Sequence, residues 1–196
     1  MILAIDTSAG QCAVALSGPA GGSSLIEHME RGHAEALMLM VAQLTGGNYQ
    51  QLTRIAVCIG PGSFTGLRVG VSAARGLALG LDIPCIGVSR LEALAARQGP
   101  CIVAVKGRGG TLFYQRFEDA LALSAPETRF GTADGFEESG MPCLGDVTGP
   151  AEAGLVDPER LAQIAAQRAL GPPPAPLYLR TANADLPKDA PPRILD

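Results

Sequence analysis

Three places in the chain combine side-chain types and spacings able to do chemistry. The first is Asp6-Thr7-Ser8 ahead of Gly10. A carboxylate and two hydroxyls at a turn could face a metal-bound phosphate, or could close their own turn through side-chain to backbone hydrogen bonds, which asks less of the surroundings. The second is Gly60-Pro61-Gly62-Ser63-Phe64-Thr65-Gly66-Leu67-Arg68-Val69-Gly70. A glycine-rich turn between a buried strand and a helix start aims free N–H groups at one point and suits an anion. Its spacing matches neither the Walker nor the dinucleotide pattern, so on spacing alone a plain turn capped by Ser63 or Thr65 is the favoured reading. Asp6, Thr7, Ser8, Gly62 and Ser63 therefore make up the candidate phosphate or nucleotide set. The third place is histidine: His28 and His33 are the two in the chain. Two histidines without further spaced ligands make an incomplete zinc or iron site, so no metal site is expected.

These residues must be positioned by regular elements. Met1 to Ser8 and Gln11 to Ser17 read as a β-hairpin, and Ser24 to Arg31 as a third strand. In His33 to Leu44, apolar Leu37, Met38, Met40, Val41 and Leu44 recur at spacings of three and four, the period of an amphipathic helix ended by Gly46-Gly47. Arg54 to Ile59 reads as a buried strand, Thr65 to Gly80 as a helix, Pro84 to Val88 as a buried strand and Leu91 to Arg97 as a short helix. From Gly99 the pattern restarts with paired strands Cys101 to Val105 and Leu112 to Phe117. Residues 119 to 156 read as loops with one or two minor strands. Asp157-Pro158-Glu159 opens a helix running to Leu170, with Asp157 as cap and Pro158 as first residue. Leu177 to Arg180 reads as a short strand, and 187 to 196 as a frayed end.

The second helix carries an unusual stripe. Gly66, Gly70, Ala74 and Ala78 recur every fourth residue, with Ala73 and Leu77 beside them. Glycine inside a helix costs roughly 1 kcal/mol relative to alanine, so some other backbone is expected to approach closely. It could belong to the chain's own sheet or to another molecule. With the Met-bearing first helix alongside, an intermolecular helix bundle is the reading adopted, using His33, Leu37, Met38, Met40, Val41, Gly66, Gly70, Ala73, Ala74, Leu77 and Ala78.

Composition narrows the function classes. With 47% hydrophobic and 17% charged residues, the 196-residue chain has ample apolar content and little charge, which anticipates a large buried partner surface. The formal charge of −4, the absence of a long basic run and 4% aromatic residues describe a poor nucleic-acid binder on its own. Five cysteines, three of them in apolar runs, fit a reducing cytosol. No apolar run is long and uncharged enough to span a bilayer, and no leader is expected.

Ile5-Asp6-Thr7-Ser8, Arg31-x-His33-Ala34-Glu35, the Gly60 to Gly70 stretch, Pro84-x-x-Gly87-Val88-Ser89-x-Leu91-Glu92 and Pro176-x-Tyr178-Leu179-Arg180 together resemble the TsaB (YeaZ) family. The resemblance is dense over the first half and sparse over the second. It implies an α/β actin-like ATPase (ribonuclease-H-like) fold of two lobes: residues 1–98, bearing the partner-binding helices, and a smaller, degenerate lobe, 99–196. It implies a non-catalytic cytoplasmic subunit that binds and activates a TsaD-type transferase, in the formation of N6-threonylcarbamoyladenosine at position 37 of tRNAs reading codons beginning with A. ATP and metal would sit on that transferase. A TsaE-type ATPase would join the larger complex, tRNA would be contacted indirectly, and the chain could pair with itself when alone. Where the catalytic TsaD relative has a pair of metal-binding histidines after the strand, this chain reads Ser89-Arg90-Leu91-Glu92. Where the TsaB family shows Asp-Ala-Arg, it reads Lys106-Gly107-Arg108, so the acid is missing. The alternatives are a stand-alone ATPase built on Asp6, or a glycoprotease-like hydrolase built on Ser63, which lacks the nucleophile-elbow pattern.

Overall fold

The computed structural model describes residues 1–19, 21–95, 99–132, 135–136 and 140–179. Its first sheet follows the chain in a simple way. Strands β1 (Ile2–Asp6), β2 (Gln11–Gly18) and β3 (Gly21–His28) form an antiparallel meander, and β4 (Arg54–Cys58) and β5 (Cys85–Val88) add in parallel on the other side of β1, giving the order β3-β2-β1-β4-β5. The parallel additions need crossovers, supplied by α1 (His33–Thr45) and α2 (Phe64–Leu81).

Strand periodicity then decides what each face buries. Leu3, Ile5, Val14, Ile55 and Val57 face α1 and α2, meeting Leu37, Met40, Val41, Val71, Ala74 and Ala78. The intervening Ala4, Ala15, Ala56 and Cys58 face the opposite side and meet Leu161, Ala162 and Ala165. Those last residues belong to α4 (Pro158–Gln167), which packs across β1, β2 and β4. The Asp157 carboxylate caps α4 by accepting from Glu159 N at 2.9 Å, and Pro158 follows it, as the sequence anticipates. The division at residue 98 is thus crossed: α4 lies in the second half of the chain but covers the first sheet.

The second sheet is built on β6 (Pro100–Lys106) and β7 (Thr111–Glu118), antiparallel across the Gly107 to Gly110 turn. β8 (Leu121–Ala122) and β9 (Glu127–Phe130) pair with β7, and β10 (Cys143–Leu144) runs parallel to β6. Helix α3 (Arg90–Leu94) buries Leu91 against Cys101, Val103, Phe113 and Phe117 of this sheet. The short strand expected at Leu177 to Arg180 does not form over 177–179: the segment runs outside both sheets, tied by Leu177 N to Ile59 O at 2.7 Å. Arg180, the expected end of α3 at Arg97 and the end at 187–196 lie outside the described residues.

Candidate functional site

The sequence-predicted phosphate set divides in two. Asp6 is fully buried, and its carboxylate accepts from Ser8 N and from Gln11 Nε2, both at 2.9 Å. The same Gln11 amide donates to Val156 O at 2.7 Å, so the carboxylate holds the connection into α4 in place. Thr7, also buried, donates its hydroxyl to Gly66 O at 2.7 Å. Both residues serve the turn and its packing, which is the simpler of the two readings.

Ser8, Gly62 and Ser63 do line a cavity of about 550 Å³ between the two sheets. Ser63 caps α2 by accepting from Gly66 N at 3.3 Å, and its own N–H donates to Ser8 O at 2.7 Å. The Ser8 side chain is buried beside the Cys58 thiol. Burial, reinforced by the Asp6 charge, pushes that thiol far above the ordinary thiol range, with the Ser8 hydroxyl opposing. The remaining wall carries His33, Glu30, Arg90, Lys106, Arg108 and Asp146. His33 is nearly buried at the first position of α1, with Nε2 3.3 Å from Ala9 O, so its ring has a polar partner within the chain.

Sequence reasoning missed Arg90. The residue is 3% exposed, and its guanidinium donates from Nε and Nη2 to Gly154 O at 2.8 and 2.6 Å and lies 3.7 Å from Asp146 Oδ2. Asp146 in turn accepts from Lys106 N at 2.7 Å. One buried cation therefore joins the end of β5 to the second sheet and to the segment leading into α4. The available signal was an arginine two residues past a buried strand; Asp146 and Gly154 offer no comparable signal.

The small-residue stripe requires a correction. Gly66, Gly70, Ala74 and Ala78 are buried against the chain's own first sheet, as are Leu37, Met40 and Val41 of α1. A β-carbon on Gly66 or Gly70 would collide with Thr7. The close approach that the glycines demand is real, but Thr7, the residue directly after β1, makes it. Ala73 and Leu77 are half-buried, leaving Met38 as the adopted interface residue that is exposed. The open surface of the helix pair lies elsewhere: Leu39 is 72% exposed on α1, Leu79 is 84% exposed on α2, and Gly76 and Gly80 have nothing within 4 Å of an added β-carbon.

Comparison with known proteins decides the family. The family model described as "TsaD: tRNA N6-adenosine threonylcarbamoyltransferase" matches residues 25–127, which contain the glycine-rich turn and all of α2. The chain belongs to the TsaB (YeaZ) branch of this family. Among curated proteins named tRNA threonylcarbamoyladenosine biosynthesis protein TsaB, it is 36% identical to that of Escherichia coli over 132 residues, covering 61% of this chain and 57% of the relative. It is 35% identical to that of Bacillus subtilis over 147 residues, covering 69% and 64%. The matches thus span less than two thirds of the length of these TsaB relatives.

A solved structure titled "YeaZ from Pseudomonas aeruginosa" superposes with a TM-score of 0.74 at 24% identity, covering 91% of this chain and 99% of that one. A second Pseudomonas aeruginosa structure, of an uncharacterized protein described as similar to peptidase YEAZ, gives 0.76 at the same identity and coverage. These likenesses place the chain in the TsaB fold. With the strand order of the first sheet, that fold is actin-like, two sheets flanking a cleft. No helix among the described residues is long and apolar enough to cross a membrane.

Proposed function

We propose that this chain works in threonylcarbamoyladenosine formation at position 37 of tRNA as a non-catalytic subunit that binds and activates a TsaD-type transferase. The observation that carries this reading is the outer surface of α1 and α2. Both helices commit their inner faces to the core, yet α1 presents Met38 and Leu39 to solvent, and α2 presents Leu79 beside side-chain-free Gly76 and Gly80. Exposed apolar groups next to glycines allow a partner helix to approach closely and exclude water. The TsaB-named relatives supply the pathway.

The non-catalytic part of the reading draws on Asp6 and Thr7. The Asp6 carboxylate and the Thr7 hydroxyl, which would face a phosphate, are engaged by Ser8 N, Gln11 Nε2 and Gly66 O. In this scheme ATP and metal sit on the TsaD-type partner, a TsaE-type ATPase joins the larger complex, and tRNA is reached through the partner. The assembly is cytoplasmic, and the chain self-associates through the same face when the transferase is missing. Titration calorimetry of the chain with a purified TsaD-type transferase tests the docking step. Saturable binding supports it, and no heat at tens of micromolar protein, with both proteins folded, refutes it.

A further inference from the structure

We propose that Arg68 and Arg75 form a paired carboxylate receptor along the border of the docking face, taking two acidic side chains about two turns apart on a helix of the docked protein. The proposal rests on the docking reading above and adds the chemistry of the partner.

The two arginines are seven residues apart on α2, so they share one flank and stand roughly 10 Å apart along the axis at 1.5 Å rise per residue. Both are exposed. The 18 residues of α2 contain these two guanidiniums and no carboxylate, in a chain whose formal charge is −4. Among the described residues the ion pairs are Arg90 with Asp146 and Arg168 with Glu92, and neither uses Arg68 or Arg75. Two uncompensated cations on one flank of an otherwise acidic protein are complementary to an acidic surface.

The flank is also shaped. Arg68, Ser72 and Arg75 line one side of a groove of about 410 Å³, with Pro176 and Tyr178 on the other. Tyr178 stacks on Phe64 with ring centroids 5.1 Å apart, and the Arg68 guanidinium lies 5.2 Å from the Phe64 ring centroid. An arginine held over an aromatic ring gives up less rotamer freedom on binding, and its planar fork suits a carboxylate. A protein carboxylate is favoured over RNA phosphate because the same helix carries exposed Leu79, Gly76 and Gly80, which suit a packed protein helix rather than a hydrated backbone.

Calorimetry with the TsaD-type transferase at low and high salt tests this, comparing the full chain with R68Q/R75Q and R68K/R75K. The wild-type chain is expected to bind more weakly as salt rises. R68Q/R75Q is expected to lose about tenfold in affinity at low salt and most of the salt dependence, with R68K/R75K keeping most of both. Wild-type binding with unchanged affinity and salt slope in R68Q/R75Q overturns the receptor while leaving docking intact. No wild-type binding overturns both. If R68Q/R75Q binds the transferase normally but the assembled complex loses tRNA retention on a filter, the flank reads RNA and the proposal is wrong.

Discussion

The hydroxyl of Thr7 occupies the space a side chain at Gly70 would need, and it is held there by its bond to the carbonyl of Gly66, one turn earlier on the same helix. The turn leaving β1 and helix α2 are therefore in backbone-level contact, and the glycines serve the fold before they serve any partner. Gly70→Ala is expected to destabilise the chain by about 2 kcal/mol through overpacking. Gly76→Ala, where an added β-carbon meets nothing, is expected to stabilise it by up to ~1 kcal/mol. Urea unfolding midpoints of the two variants check this, and equal effects would contradict it.

Leu79 and Leu39 are expected to behave in the opposite way. Both are largely exposed, so Leu79→Lys and Leu39→Lys should shift the unfolding midpoint by no more than about 0.5 kcal/mol equivalent. The pair should reduce affinity for the TsaD-type transferase at least about tenfold. Stable variants that bind normally would move the docking surface off this face.

The contrast shows what was legible. Spacing of four in Gly66, Gly70, Ala74 and Ala78 does announce a close neighbour, and the order of elements is legible because β1, β2 and β4 are apolar runs buried on both faces. Spacing alone does not say which neighbour fills the stripe. That depends on Thr7 being nearly sixty residues away in sequence and one strand away in space. Arg90 escaped for a similar reason, since its partners Asp146 and Gly154 come from a weakly patterned segment. Asp6 was legible as a turn residue, but Gln11 as the donor to its second oxygen was not.

Asp6→Asn places an amide N–H₂ among donors, so one of the bonds from Ser8 N and Gln11 Nε2 must be lost. A stability loss of about 1–3 kcal/mol is expected, with transferase binding retained by the folded fraction. Loss of a nucleotide-dependent activity of the isolated chain, at unchanged stability, would instead restore Asp6 to a phosphate-handling role.

The cysteines give a pH dependence with a definite sign. Burial, chiefly, pushes the Cys12 and Cys85 thiols from 9.0 to about 11, and the Cys58 thiol rises further. The unfolded chain therefore releases these protons first as pH rises. Their contribution to stability is complete below about pH 9 and is lost progressively toward pH 11. Urea midpoints should fall over that interval, and less steeply in C12A/C85A than in the wild type. Identical slopes would show that these thiols are not shielded.

The most direct test of the central claim is tRNA modification in vitro with the TsaD-type transferase and the remaining pathway components, with and without this chain. Modification that requires the chain, with no turnover by the chain alone, is the expected result. Modification that proceeds equally well without it, or activity of the isolated chain abolished by Asp6→Ala, would contradict a non-catalytic activating subunit.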